Sequence, residues 1–147
     1  MMETLREIMK KVLADTFAMY LKAHNYHWNV EGANFPQYHD FFGNLYSELY
    51  EAVDVAAEQI RALESYAPGS FSRFAELTDI EDEISVPTGI EMAKRLQGDN
   101  EIVLASLNMA LKLDEQFDKQ GLMDFLAGRI DAHNKHGWML RSIAKNV

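Results

Sequence analysis

Two imidazoles and two carboxylates stand at telling spacings in residues 23–58: His27 and His39, then Asp54 and Glu58. Nitrogen and oxygen donors of this kind suit divalent first-row metals such as iron, zinc and manganese. Asp54 and Glu58 are four residues apart and share a helix face. His39 and Asp54 are fifteen residues apart, about 22 Å along a helix axis, so no single metal touches both within one copy. If two copies of this helix cross antiparallel about their middle, near Glu48, His39 of one falls beside residues 54–58 of the other. The spacing therefore predicts a metal site shared between two subunits on a two-fold axis. Taken singly, each residue has a plainer reading. His27 beside Trp28 is then a histidine packed at a helix end, and His39 a surface histidine. Asp54 and Glu58, with Glu48 and Glu51, are then a solvated acidic face. His24, one turn before His27, is a lesser candidate ligand. His133 and His136 read as packing or contact residues, without an acidic partner pattern.

The elements that must position these groups are helical throughout. Leu5, Ile8, Val12, Phe17, Tyr20, His24 and His27 step by three to five and predict a helix from about residue 3 to 29. Gly32 ends it, and Pro36 suits the first turn of the next helix, where a missing N–H is harmless. Phe42, Leu49, Ala56 and Leu63 recur at sevenfold spacing, with Leu45 or Tyr46, Val53 and Ile60 between them. That is the seam of bundle packing. Ala67-Pro68-Gly69 is expected to break this helix, and Phe71, Phe74 and Leu77 suit a short one. Thr88 followed by Glu91 resembles a capping box, opening a third long helix striped by Leu96, Val103, Leu107, Ala110 and Phe117. Gly121 is expected to separate it from a fourth, carrying Phe125, Leu126, Ile130, His133, Leu140 and Ile143. Two long hairpins joined by one long crossover form an all-α, ferritin-like four-helix layout.

Composition agrees with one domain spanning residues 1–147, a length that buries one core but not two. No apolar run approaches the roughly 18 residues of a membrane helix, and no secretory signal opens the chain, so the cytoplasm is the default location. With no cysteine, disulfide and thiolate chemistry are excluded. The net charge of −9 opposes non-specific DNA binding and favours gathering cations.

HNYHWNVEG at 24–32, then Phe35-x-x-x-His39, then D-x-x-A-E ending at Glu58, resemble the signature of the Dps family, the mini-ferritins. APGSFSRFAELTDIED at 67–82 resembles that family's central connection, and KHGWMLR at 135–141 its last helix, so the likeness spans roughly residues 12–145. The resemblance implies a four-helix subunit with a short extra helix in the central connection. It also implies a hollow homo-oligomer, a dodecamer, that oxidises ferrous iron, usually with hydrogen peroxide, and stores the ferric product. His27, His39, Asp54 and Glu58 match family metal ligands and are the expected catalytic set. The two histidines would come from one subunit, and the carboxylates, with Glu58 bridging, from its mate.

The family adds an aspartate four residues after the second histidine, where this chain has Gly43. A weakened second iron position follows. Gly43→Asp is then expected to improve the site, and a helical glycine there invites the close approach of a neighbouring helix or ring. The competing expectation is a cage with a structural or interaction role and little iron chemistry. Trp28 occupies the position the family places beside its iron site, where an escaping radical would oxidise it; it also reads as an apolar interface anchor. Tyr50 reads as a group beside the site or as core. Acidic residues from the region of Asp114, Glu115, Asp118, Asp124 and Asp131 line iron-entry pores in the family, and here they read equally well as scattered surface carboxylates. Family members that bind DNA use a lysine-rich N-terminal tail; only Met1, Met2, Glu3 and Thr4 precede this helix, so tail-mediated DNA binding is not expected.

Overall fold

A computed structural model describes residues 1–145. Five helices carry the chain: α1 (Met2–Asn29), α2 (Phe35–Ala62), α3 (Phe71–Leu77), α4 (Gly89–Asp114) and α5 (Gln120–Ala144). There is no strand among the described residues. α1 pairs with α2 and α4 with α5 as two hairpins, α1 also lies along α4, and the short α3 rests on α1. This is the expected four-helix bundle with a short extra helix in the crossover. No helix among the described residues is long and apolar enough to cross a membrane.

Leu5, Met9, Leu13, Met19 and Tyr26 of α1 pool with Phe42, Leu49 and Ile60 of α2, Met92, Leu96 and Leu107 of α4, and Leu126 and Leu140 of α5 in one hydrophobic core. Each such side chain contributes about 1.5–3 kcal/mol on burial, so the heptad seam of α2 and the stripes of α4 and α5 hold the bundle together. The stripe read on α1 needs correction. Leu5 and Val12 are buried, but Ile8, Phe17, Tyr20, His24 and His27 are only partly so. The five-residue step from Val12 to Phe17 turns the pattern about 140° around the helix and moves it to the flank. The core stripe instead continues through Met19, Ala23 and Tyr26.

Two boundaries differ from expectation for the same reason: non-glycine residues supply the left-handed turns. α2 stops before Ala67-Pro68-Gly69, because Glu64 takes φ 62°. The Ser65 N–H then donates to the Ile60 carbonyl (3.3 Å) and the Glu64 N–H to that of Arg61 (3.0 Å), a Schellman ending that usually carries glycine. α4 and α5 are parted by residues 115–119, with Asp118 at φ 53°, while Gly121 lies inside the first turn of α5. The Thr88 hydroxyl caps α4 by accepting from the Glu91 N–H at 3.2 Å, which is one half of the capping box.

The crossover is pinned to the bundle by buried polar groups. Buried Asp15 accepts from the Thr78 hydroxyl (2.6 Å) and the Asp79 N–H (3.1 Å), and Lys11 lies 3.0 Å away. Lys22 reaches the Glu81 carbonyl (3.0 Å) and the Asp99 carboxylate (3.0 Å). The Tyr26 hydroxyl donates to Glu83 (2.6 Å), which Arg95 also holds. These contacts fix the crossover beside the final turns of α1, where the first candidate ligand lies.

Candidate metal centre

His27 sits in the last turn of α1 and His39 in the second turn of α2, and the α1–α2 hairpin brings their rings to 3.8 Å, stacked at 16°. They lock each other. His27 Nδ1 lies 2.7 Å from the His39 carbonyl, and His39 Nδ1 lies 2.7 Å from the His27 carbonyl. A carbonyl only accepts, so both Nδ1 atoms are assigned as donors. In the neutral rings each Nε2 then keeps a free lone pair. Fixing the tautomer through the far nitrogen is how metal-binding histidines are held, and this donor set fits a first-row divalent ion.

Asp54 and Glu58 are not brought to that pair. Both lie exposed on the far half of α2, and no three His, Asp or Glu side chains among the described residues gather in one chain to hold a metal. Within one chain, therefore, the His27–His39 pair meets neither expected carboxylate.

Gly43 packs directly beneath His27. A Cβ built there would lie 3.0 Å from His27 Nδ1 and 3.1 Å from Cε1. This supplies the close-approaching ring that a mid-helix glycine, costing about 1 kcal/mol against alanine, invites. It also amends the simple expectation for Gly43→Asp, because any side chain must first displace a ring tied to His39 on both sides. Gly43→Ala isolates that cost: cobalt titration should show affinity lowered by about tenfold, the scale on which groups around metal ligands act. Gly43→Asp should recover part or all of it through the added carboxylate. Alanine binding as tightly as glycine would show that the His27 ring yields freely.

An aromatic column extends from the histidine pair. The Tyr46 ring lies 5.2 Å from that of His27 and stacks on His24 at 3.7 Å and 7°. His24 in turn lies 4.0 Å from Trp28, which is 59% exposed. The Tyr20 hydroxyl is 3.1 Å from His24 Nδ1, and Tyr20 lies 5.1 Å from Tyr50. Tyr50 is exposed and not core. His24 is thus engaged by Tyr20, Tyr46 and Trp28. Burial, then the neighbouring His27, holds its imidazole below the usual value. Tyr46 escaped notice as part of this group, although its four-residue spacing from Tyr50, like that of Tyr20 from His24, places each pair on one face.

Glu48 also departs from the acidic-face reading. Its carboxylate is gripped by both Arg129 guanidinium nitrogens and by His136 Nε2 at 2.7 Å. Burial opposes its charge, but His136 and Arg129 outweigh that and hold its pKa at about 2. Arg129 also reaches His133 Nε2 (3.0 Å), whose Nδ1 meets the Asn100 side-chain oxygen at 2.7 Å. His133 is fully buried, and desolvation, then the charge of Arg129, pushes its pKa well below 6.5. His133 is therefore a packing residue, while His136 does have an acidic partner, contributed by α2. Among the acidic residues near the start of α5, Asp114 is buried and not a surface carboxylate; desolvation raises its pKa. Glu115, Asp118, Asp124 and Asp131 are exposed.

Residues 6–147 match the family of the ferritin-like domain, and the chain belongs to that family as a Dps-like member. It is 32% identical over 137 residues to an uncharacterized low temperature-induced protein of Nostoc sp., covering 92% of this chain and 76% of that one. It is 29% identical over 136 residues to DNA protection during starvation protein 2 of Bacillus anthracis, covering 92% and 93%. The Dps structure from Staphylococcus aureus matches with a TM-score of 0.93 at 25% identity, over 99% of this chain and 97% of that one. Dps from Vibrio cholerae O1, a member of a broad superfamily of ferritin-like diiron-carboxylate proteins, matches with a TM-score of 0.93 at 25% identity over 98% and 91%.

Proposed function

We propose that the protein is an iron-storing mini-ferritin: a homo-oligomeric cage, a dodecamer, that oxidises ferrous iron with hydrogen peroxide and retains the ferric mineral. The observation that carries this reading is the reciprocal His27–His39 lock, which leaves both Nε2 atoms free. Asp54 and Glu58 of a two-fold mate complete the site. The diiron-carboxylate description of the Vibrio relative supports the same chemistry.

In the reaction, two ferrous ions each give one electron to one peroxide, and water supplies the remaining oxygen of the ferric oxyhydroxide with release of protons. The protein's part is positional. The histidine pair offers two fixed nitrogen donors, the carboxylates neutralise charge as it builds, and the −9 chain draws cations inward. The same charge opposes non-specific phosphate contacts, so this reading places the cage's action on iron and not on DNA. A cytoplasmic location belongs to this reading.

Gly43, packed against His27, favours a second reading in which the cage assembles but oxidises little iron. Adding ferrous iron and peroxide to the metal-free oligomer separates the two. The ferroxidase reading expects a ferric absorbance that saturates with a mineral load of many ions per cage. Assembly without oxidation above the protein-free rate would leave the structural cage.

A further inference from the structure

The ring column beside the histidine pair is more than packing requires. Phe or Leu would fill a flank equally well, yet three tyrosines (Tyr20, Tyr46, Tyr50), a tryptophan (Trp28) and a non-ligand histidine (His24) are assembled there. Their rings follow one another without a gap: His27 to Tyr46 at 5.2 Å, Tyr46 to His24 at 3.7 Å, His24 to Tyr20 at 5.6 Å, and Tyr20 to Tyr50 at 5.1 Å. One phenol in the column has a base at hydrogen-bond distance. The Tyr20 hydroxyl is 3.1 Å from His24 Nδ1.

We propose that Tyr20, with His24 as its proton acceptor, is a redox-active tyrosine that donates an electron through the ring column to the metal position on His27 and His39. The proposal rests on the iron and peroxide chemistry above for the identity of the oxidant, a peroxide-derived one-electron oxidant such as hydroxyl radical. A phenol gives up an electron readily only if its proton leaves with it, because the protonated radical is a very strong acid. Here the Tyr20 O–H bond breaks and the proton passes to His24 Nδ1. The electron crosses by way of Tyr46 and reduces hydroxyl radical to hydroxide, which solvent protonates. Tyr20 is left as a neutral phenoxyl radical and His24 as an imidazolium.

The resting states suit both partners. Burial, then the neighbouring Tyr50 and Tyr46, raises the Tyr20 pKa, so the phenol holds its proton. With His24 assigned as the Nε2–H tautomer, its Nδ1 accepts from the Tyr20 hydroxyl and is the atom that receives the proton. Tyr26 makes the contrast. Among the described residues it is the other tyrosine hydrogen-bonded to a side chain, but its partner Glu83 is occupied by Arg95 and Ser85. Tyr26 also lies in the core, outside the column.

The experiment begins on the metal-free oligomer, where iron plays no part. In a Trp138→Phe background Trp28 is the only tryptophan, and azide radicals made by pulse radiolysis oxidise it. The expected result is conversion of the indolyl radical into a phenoxyl radical at a rate independent of protein concentration. Tyr20→Phe should remove most of that conversion. His24→Phe, which keeps a ring in the stack but no base, should slow it by about 10²-fold, the lower end of what a positioned base supplies. A solvent deuterium isotope effect should be present with His24 and absent without it. Conversion unchanged in Tyr20→Phe, or insensitive to His24→Phe, overturns the proposal.

A second arm adds ferrous iron and peroxide and freezes the sample for electron paramagnetic resonance. A tyrosyl signal present in the parent and lost in Tyr20→Phe, with iron oxidation retained, is expected. A tyrosyl signal undiminished in Tyr20→Phe overturns the proposal. Failure of the parent to oxidise iron, with the radiolysis result intact, counts against the ferroxidase reading and leaves the tyrosine–histidine pair standing.

Discussion

Mixing two inactive variants should restore about a quarter of the parental iron oxidation. In His27→Ala/His39→Ala every site lacks its nitrogen donors; in Asp54→Asn/Glu58→Gln every site lacks its carboxylates. Each alone should lose nearly all oxidation above background. A two-fold interface is isologous, so the two sites of a dimer draw opposite halves from each chain. In a mixed dimer one site is doubly defective and the other is wholly parental. Random reassembly makes about half the dimers mixed, and half the sites in those are intact, hence about one quarter. The measurement is the initial ferric absorbance rate after co-refolding, against each variant refolded alone. Recovery no greater than the sum of the separate variants would place histidines and carboxylates in independent sites. The geometry behind the expectation is simple: the histidines meet at one end of α2, and the carboxylates lie far along the same helix.

Acid should loosen the bundle in two stages, and the second should depend on Glu48. His133 has a folded pKa well below its unfolded value. As pH falls through about 6.5 the unfolded chain takes up that proton first, and stability declines from there downward. Glu48 and Glu83 are both depressed to about 2. Their contribution is present above the unfolded value of 4.5 and is lost as pH falls from there towards about 2. Asp99 and Asp114, whose pKa values burial raises, work the other way and soften the second stage. At neutral pH, Glu48→Ala strands the Arg129 guanidinium in the bundle. Breaking a buried pair costs about 3–5 kcal/mol. The Glu48 side chain is 38% exposed, and solvent screening of it brings the expected loss to about 2–3 kcal/mol by urea denaturation at fixed protein concentration. Glu48→Ala combined with Arg129→Met should recover much of that, because it removes the unpaired charge. An acid profile with no second stage, or a loss under about 0.5 kcal/mol for Glu48→Ala, would reduce the cluster to a surface ion pair.

Much of this was legible in the chain itself. Helical periodicity and the α2 heptads set the number and order of helices, because burial of an apolar stripe at that period admits no other regular element. The ligand types and their separation on one helix lead to the proposal of a site shared between copies, since a helix has a fixed rise; that proposal is what the mixed-variant experiment tests. Other features needed the folded chain. Left-handed turns at Glu64 and Asp118 moved two boundaries, because non-glycine residues there take a conformation that local propensity disfavours. The same carboxylate chemistry gives an exposed group at Glu58 and a clamped one at Glu48, and only the approach of Arg129 and His136 from α5 separates them. The reciprocal lock of His27 and His39, the Gly43 floor under it and the stacking of Tyr46 on His24 all depend on the angle at which α1 meets α2. Residue spacing along one helix specifies a face; it does not specify which ring of a neighbouring helix comes to rest on that face.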